Sequence, residues 1–366
     1  MKTQRVERGA WLGLVSVLLA ACGGAKDPTP PTTTAEETSM VCTPGAVKDC
    51  GCVEGQATCN EAGTVWECSC VYPTAKDLTM VFDDSQVYID ASRAYVSRGS
   101  TIHIVSWTGE SESFVGGLPD TARDIQAVTG NAASIYFSYA AHGDANFAAK
   151  KDALDASLLS LGDSVPDSGA ELMAASSDTL FVAYLDVDHS AENIYSCPAA
   201  GDCELIADKQ SQPSGLSFFG HSLFWTNYVS GDQFSAIALD LTDPTSGPVT
   251  LAEYGSIVQV AGDGVYFSHC SDSSKTQCEL DRITSATGSA ELILDHVPAF
   301  ITHIGDESYF VEDGAIMRQG PDDTSPKRFF YGNTVRALLT NGTDLFAIMD
   351  VGDHPFPELY WLGKVR

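Results

Sequence analysis

One short phrase recurs along most of the chain and constrains its fold more than any other feature. In the copy Asp263-Gly264-Val265-Tyr266-Phe267-Ser268, a turn leads into a strand with a central aromatic pair. Six related copies read Arg93-Ala94-Tyr95-Val96, Ser134-Ile135-Tyr136-Phe137, Thr179-Leu180-Phe181-Val182, Ser222-Leu223-Phe224-Trp225, Glu307-Ser308-Tyr309-Phe310 and Asp344-Leu345-Phe346-Ala347. The copies are spaced by about 40 residues, a period at which neighbouring repeats must stack to bury an apolar core.

Four β-rich runs occupy most of these periods. Around the fifth copy they are Ile257–Ala261, the phrase itself, Leu280–Ile283 and Leu292–Leu294. Four short strands in each period of about 40 residues are typical of a β-propeller blade. The aromatic residues are adjacent because each blade is buried on both faces by its neighbours. We therefore predict an all-β fold, a seven-bladed β-propeller; six or eight blades are the alternatives, because the first copy is the weakest.

The two ends of the repeat region complement each other. The seventh copy ends with a third strand, Leu359–Leu362, and leaves no residues for a fourth. A spare strand, Leu78–Phe82, precedes the first copy, and we predict that it completes the last blade and removes the free edges. Helical periodicity could be argued only for Ala148–Leu161, where a third and a fourth strand are expected. The propeller is thus placed in residues 77–366.

Residues 1–21 have the pattern of a targeting segment. Three basic residues precede the apolar stretch Trp11–Ala21, which is too short to span a bilayer as a mature helix. Its end, Leu19-Ala20-Ala21-Cys22, resembles the lipobox of bacterial lipoproteins. The resemblance implies lipidation of Cys22, and more than one acyl chain anchors a protein firmly. An ordinary secretory signal is the alternative. Gly23, where an aspartate would signal retention at the inner membrane, favours the outer membrane.

A linker and a cysteine-rich module follow. Residues 22–40 are rich in proline and threonine, which is typical of an extended, solvated spacer. Residues 41–71 carry six cysteines among turn-forming residues: Cys42, Cys50, Cys52, Cys59, Cys68 and Cys70. So short a module needs covalent support, so we predict three disulfides, whose connectivity the sequence leaves undetermined. Zinc is the alternative, although zinc ligands usually come as C-x2-4-C pairs and the close pairs here are C-x-C.

The module also has a family resemblance. The segments Gly55–Cys59 and Gly63-Thr64-Val65-Trp66-Glu67-Cys68-Ser69-Cys70 resemble the short cysteine-rich modules that follow the lipid anchor in bacterial surface lipoproteins. This resemblance implies a structural stalk and no particular activity.

The cysteine count supports an exported protein. The chain has 11 cysteines, and an even number remains when Cys22 is assigned to the lipid. Even numbers are typical of complete pairing in an oxidising compartment. Beyond the module, Cys197 and Cys203 flank one turn, and Cys270 and Cys278 flank another. We predict that each of these two pairs closes a loop of the propeller.

The charge of the chain limits its partners. The formal net charge is −29, while apolar residues make up 44% of the chain, a fraction ordinary for globular proteins. The acidity is therefore a property of the surface. So negative a surface repels nucleic acid and anionic lipid, so we expect no nucleic-acid partner and contact with the membrane through the lipid anchor only.

The repeat region resembles the bacterial propellers of the YWTD and TolB-like families. Phe224-Trp225-Thr226-Asn227 is close to the YWTD motif, and Ile135–Ser138 and Val265–Ser268 are looser versions. The resemblance extends over residues 78–366 and implies the fold without implying a ligand. Seven blades also differ from the six usual in YWTD propellers.

No catalytic motif occurs, so any site must be assembled from loops. The sequence contains no G-x-S-x-G, H-E-x-x-H, P-loop or G-x-G-x-x-G. In propellers the loops joining second to third strands, and those joining blades, share one face. These loops supply the candidate binding residues His142, Asp144, Asp186, Asp188, His189, Asn227, Tyr228, Asp232, His269, Asp350, Asp353 and His354. The alternative is that they are simply the solvated loops of an acidic protein.

These loops suggest two kinds of chemistry. Asp186-x-Asp188-x-Ser190 offers oxygen ligands for calcium, but it lacks the glycine and the closing glutamate of an EF-hand, so no cofactor is predicted. Histidine and aspartate together could also serve a hydrolase or lyase. We expect instead a lipid-anchored binding or scaffold module of the cell envelope, whose partner is a protein, peptide or glycan. A structural surface protein without a discrete ligand is a further alternative.

Overall fold

Seven four-stranded antiparallel sheets form a closed ring in a computed structural model of the protein. The structure describes residues 46–364 apart from 50–53, 60–65, 72–74, 83–84, 107–110, 115–124, 140–145, 152–155, 160, 162–169, 186–191, 199–201, 231–232, 262–263, 275–276, 332–333, 351 and 353–355. The predicted all-β, seven-bladed propeller is thereby confirmed.

The strands are numbered in chain order. A small three-stranded sheet comes first, with β1 Val47–Asp49, β2 Glu54–Cys59 and β3 Trp66–Val71. The strand β4, Lys76–Met80, follows. Blades one to three comprise β5–β8 (Val87–Ile89, Arg93–Arg98, Thr101–Ser106, Ser111–Phe114), β9–β12 (Ile125–Gly130, Ser134–Tyr139, Asn146–Lys150, Ala156–Leu159) and β13–β16 (Leu172–Ala175, Thr179–Leu185, Glu192–Pro198, Glu204–Gln210).

The remaining blades continue this order. Blades four to six comprise β17–β20 (Ser214–Phe219, Ser222–Ser230, Gln233–Asp240, Val249–Ala252), β21–β24 (Ile257–Ala261, Gly264–Cys270, Cys278–Ile283, Glu291–Leu294) and β25–β28 (Ile301–Ile304, Glu307–Glu312, Ala315–Gln319, Lys327–Tyr331). Blade seven contains β29–β31 (Val335–Thr340, Asp344–Met349, Glu358–Lys364). A short 3-10 helix spans Pro244–Ser246.

The stretch Ala148–Leu161, where a helix could be argued, lies in the region of β11 and β12, so the helical alternative is wrong.

The aromatic pair of each repeat supplies the core between blades. In β22, Tyr266 packs in the cluster shared with blade six, while Phe267 packs in the cluster shared with blade four. The other blades divide their two positions in the same way, so seven clusters of buried residues join the seven blades in a ring. Successive side chains of a strand point to opposite faces, so two adjacent apolar residues serve both interfaces of one blade.

In three of the blades, the hydroxyl residue that follows the aromatic pair hydrogen-bonds to backbone at or just before the start of a first strand. Ser138 Oγ donates to the carbonyl of Ala170 (2.6 Å), and Thr226 Oγ1 accepts from the amide of Ile257 (2.8 Å). Ser268 Oγ accepts from the amide of Ser256 (2.9 Å). All three hydroxyl residues are buried. Each bond therefore satisfies a backbone group that would otherwise lose its contact with water.

The first described strand of the propeller region closes the ring. Strand β4 pairs antiparallel with β31, so blade seven takes its outer strand from the N-terminal side of the repeats, as the sequence predicts. Leu78 and Val81 pack with Val96 of blade one and Phe346 of blade seven. The ring is thus closed by both backbone hydrogen bonds and apolar contacts.

The outer strands of blades three to seven share an irregularity. Each carries a β-bulge, and the residue that the pairing skips is Ile206, Leu251, Ile293, Phe329 or Leu78. Each of these five residues is apolar and packs in the core shared with the next blade. A bulge twists and bends an edge strand, which makes it a poor template for pairing with another chain.

Two disulfides lie in the propeller, Cys197–Cys203 and Cys270–Cys278. They are the two pairs that the sequence predicts. Of the six cysteines of the module, Cys59, Cys68 and Cys70 lie on β2 and β3, and Cys42, Cys50 and Cys52 lie outside the described residues, as does Cys22. The pairing within the module stays a prediction.

The closing strand offers a test of the packing. Leu78→Ala removes a side chain that is 7% exposed at the blade seven–blade one interface, so we expect a loss of about 2–5 kcal/mol in unfolding free energy. Thermal unfolding followed by circular dichroism measures the fall in Tm. Leu205→Ala is the matched control, because Leu205 is also on an outer strand but is 52% exposed, and it should change stability little. Equal effects of the two changes would contradict the assigned closure.

Candidate functional site

The connections between strands lie on two opposite faces of the propeller. Because the strands of each blade are antiparallel and sequential, connections alternate between the two ends of the sheet. One face carries the connections from second to third strands and from each blade to the next, and we call it the loop face. The other carries the turns between first and second strands and between third and fourth strands.

A cleft of about 450 Å³ lies on the loop face at blade five. Its lining residues are His269, Ser271, Gln277, Cys278, Glu279, Asp295 and His296. The first five belong to the β22–β23 hairpin and the last two to the connection between blades five and six. The disulfide Cys270–Cys278 ties the two strands of the hairpin together beside the cleft. A volume of this size is within the range of ligand sites.

His269, a predicted residue of the binding face, has a carboxylate partner. Its Nδ1 lies 3.4 Å from Oδ2 of Asp281 on the neighbouring strand. The imidazole is about half exposed, whereas Asp281 is buried. A buried carboxylate at Nδ1 fixes the orientation of an imidazole and leaves the other ring nitrogen for a ligand or a proton.

A second histidine enters the cleft from the connection between blades. His296 Nδ1 lies 3.0 Å from Oδ1 of Asp295, and its Nε2 lies 3.6 Å from Oε1 of Glu312 in blade six. The hydrogen bond and charge of His296 hold the pKa of Asp295 below its usual range. Sequence reasoning missed His296, although it lies in one of the blade-joining loops. Over the described part of the chain, no cluster of three or more histidine, cysteine or carboxylate side chains could hold a metal ion.

The hairpin of blade four forms another part of the loop face. Trp225 Nε1 donates to Asn227 Oδ1 (3.0 Å) and to Gln210 Oε1 (3.1 Å), and Asn227 Nδ2 donates to Gln210 Oε1 (2.9 Å). The side chain of Asn227 therefore supports the hairpin from within. Tyr228 makes an edge-on contact with Phe234 (5.7 Å between ring centroids), and the adjacent Val229 is 53% exposed. These last three residues form an apolar patch near the end of the hairpin.

Glu192, the first residue of β15, is a strongly perturbed acid at the loop-face end of blade three. It is 5% exposed, and among the described residues its Oε2 has no hydrogen-bond partner. Burial and, to a smaller extent, the charge of Glu171 raise the pKa of Glu192 to about 8. A carboxyl group with this pKa is mostly protonated at neutral pH. Perturbed acids of this kind are concentrated at functional sites.

The predicted face is described only in part. Asn227 and Tyr228 lie in blade four, and His269 lies in blade five, all on the loop face. Asp350 pairs with Arg336 (2.7 Å, Oδ1 to Nε) at blade seven. The other predicted residues fall outside the described ranges: His142, Asp144, Asp186, Asp188, His189, Asp232, Asp353 and His354.

Known proteins resemble the chain in structure only. No family model and no curated protein sequence matches it. A puromycin-hydrolysing peptidase of Mycobacterium tuberculosis has a TM-score of 0.52 at 11% identity, over 77% of this chain and 50% of the peptidase. A chain of the mitotic checkpoint complex has a TM-score of 0.53 at 10% identity, over 80% of this chain and 94% of the other.

A third structure concerns ring closure. The β-propeller domain of the Trilobed protease from Pyrococcus furiosus has a TM-score of 0.52 at 12% identity, over 78% of this chain and 96% of that domain. It is described as having an open velcro topology, whereas β4 and β31 pair in this chain. Identities this low support the propeller fold alone, without a distinction between families. In the part of the chain that the structure describes, no helix has the length and apolarity needed to cross a bilayer.

The raised pKa of Glu192 predicts a pH dependence. The folded-state pKa of about 8 lies above the ordinary value of 4.5, so the stability from burying the neutral acid is present below pH 4.5 and lost as pH rises through 8. Glu192→Gln keeps a neutral side chain at every pH, so near pH 9 it should be more stable than the parent by about 3–5 kcal/mol. Urea unfolding at pH 5 and pH 9 in EDTA measures the difference. If the unfolding free energies of the parent and of Glu192→Gln differ by the same amount at pH 5 and at pH 9, the prediction is wrong.

Proposed function

We propose that the protein is a lipid-anchored binding module of the bacterial cell envelope, and that its loop face binds an extended segment of a partner protein. The cleft at blade five is the observation that carries this proposal. It combines concave shape, polar side chains and a rigid frame in which Cys270 and Cys278 are bonded. Sites of this kind bind ligands well because little ordering is needed when the partner arrives.

The surroundings of the cleft favour a protein partner over a small molecule. The apolar patch of the blade four hairpin, with Tyr228, Val229 and Phe234, lies on the same face one blade away. An aromatic and aliphatic patch on the same face as a polar cleft is typical of protein-binding surfaces, which join apolar anchors to polar rims. The formal net charge of −29 favours a partner segment with basic residues.

A photo-crosslinking amino acid at Val229 tests this function. Val229 is exposed on the loop face, so we expect covalent capture of a specific envelope protein in intact cells. The matched control is Thr245, which is exposed in the connection between the third and fourth strands of the same blade, on the opposite face. Equal capture at both positions, or none at Val229 together with binding in a glycan screen, would contradict a protein partner on this face.

The anchoring part of the proposal has its own test. Cys22 follows a lipobox-like segment, so Cys22→Ala should abolish incorporation of labelled palmitate and move the protein from the membrane to the soluble fraction. The propeller begins more than 50 residues later, so its Tm should not change. If the parent protein is found in the membrane fraction but incorporates no labelled palmitate, its attachment does not depend on this cysteine.

Hydrolysis is the second candidate function, and one contact favours it. The pair His269–Asp281 has the arrangement in which a carboxylate orients a general base. Ser271 and Gln277 line the same cleft and could contact a substrate. A hydrolytic activity that is lost in His269→Ala, and kept in Glu204→Gln, a change to an exposed residue on the outer strand of blade three, would decide for hydrolysis over binding alone.

A further inference from the structure

The hairpins of blades four and five face each other across the gap between these blades. On β18, Thr226 Oγ1 accepts from the amide of Ile257 at the start of blade five (2.8 Å), so its side chain points towards that blade. Tyr228 lies two residues further along a regular part of the strand and points to the same side. On β22, Phe267 packs in the core shared with blade four, so His269 also points towards the gap.

The connection between the two blades sets the width of this gap. The amide of Gly255 donates to the carbonyl of Phe234 in blade four (2.9 Å), and the amide of Cys270 in blade five donates to the carbonyl of Tyr254 (2.9 Å). A Cβ at Gly255 would clash with the carbonyl oxygen of Ser268, so the connection is seated tightly. Segments bonded in this way lie about 4.8 Å apart, so the two hairpins are separated by about 10 Å. This separation leaves room for one side chain of a partner.

The two walls of the gap differ in chemistry. On the blade four side, Tyr228 and Phe234 form a half-buried aromatic pair. On the blade five side, Glu279 is directly opposite His269 in the strand pairing, and Asp281 Oδ2 lies 3.4 Å from Nδ1 of the imidazole. Because side chains alternate along a strand, both carboxylates are on the side of His269. Over the described ranges, no lysine or arginine pairs with either carboxylate.

We propose that this gap binds an arginine side chain of the partner segment, with the guanidinium group between the aromatic pair Tyr228–Phe234 and the carboxylate of Glu279. A guanidinium group is planar, stacks on aromatic rings and donates paired hydrogen bonds to a carboxylate. The buried charge of Asp281 adds to the negative potential behind the imidazole of His269. This arginine site rests on the binding function proposed above, and it opens into the cleft at blade five, which His269 and Glu279 also line.

Other side chains fit the gap less well. The ammonium group of lysine is a compact charge without a planar face, so it loses the stacking contact. An aliphatic side chain would cover the carboxylate of Glu279 without pairing it, which costs free energy. An acidic side chain is repelled by both carboxylates.

Peptides that differ at one position test the site on the purified full-length protein. The probes are short peptides of glycine and serine with one central arginine, lysine or citrulline, and saturation-transfer NMR measures their binding. We expect a Kd of about 1 mM for the arginine peptide, the range of a single anchored side chain. The citrulline peptide should bind at least about 5-fold more weakly, because citrulline keeps the planar shape without the charge.

Three variants locate the contact. Glu279→Gln, a change to an exposed residue, should weaken the arginine peptide about 5-fold and leave the citrulline peptide unchanged. Tyr228→Leu keeps an apolar side chain without the ring and should weaken the arginine peptide about 3-fold. Glu204→Gln, on the outer strand of blade three, is the matched control and should change neither. Equal Kd values for the arginine and citrulline peptides, or an arginine affinity that Glu279→Gln leaves unchanged, would overturn the arginine site.

Photo-capture at Val229 separates this site from the binding function itself. Capture of a partner that is strong in the parent and reduced in Glu279→Gln supports both. Capture that is equal in the two proteins contradicts the arginine site and leaves the binding function in place. No capture in the parent contradicts the binding function, whatever the peptides show.

Discussion

The packing of one blade against the next determines the rest of this structure. Each blade places one side chain of its second strand against the following blade and the next side chain against the preceding blade, as Tyr266 and Phe267 do. Burial of this kind is the main favourable term in folding. Because every blade packs against two neighbours, the pairing of β4 with β31 completes the sheet of blade seven and joins the two ends of the propeller.

The polar residues that support the fold and the residues of the candidate site lie in different parts of the propeller. Within the blades, polar residues are mostly bonded to backbone, as Ser138, Thr226 and Ser268 are. On the loop face, the repeats diverge, and titratable residues such as His269 and Glu192 lie against the rigid ends of the strands. The propeller therefore provides fixed positions for variable side chains, and a disulfide at blade five adds to the rigidity of one of these positions.

The architecture could be predicted from the sequence because it depends on a pattern that is repeated. The adjacent aromatic residues indicate a blade buried on both faces, and the spare strand around Leu78 indicates the closure. The site could be predicted only in outline, since its properties arise between segments that are distant in sequence. The sequence around Asn227 does not indicate that its side-chain amide donates a hydrogen bond to Gln210. Nor does the sequence show that Glu192 will be buried, and only the fold brings His296 to Glu312 of the next blade.

The position of the closing strand has a mechanical consequence. Strand β4 is the outermost strand of blade seven and lies at the N-terminal end of the propeller, so any tension on the preceding segment is transmitted first to its bonds with β31. Those bonds join the first part of the propeller to the last. A pulling force would therefore act first on the β4–β31 pairing within blade seven, and the resistance of this pairing depends also on side chains such as Leu78 that pack between blades seven and one. The first strand of the propeller region is therefore also the strand that closes the ring.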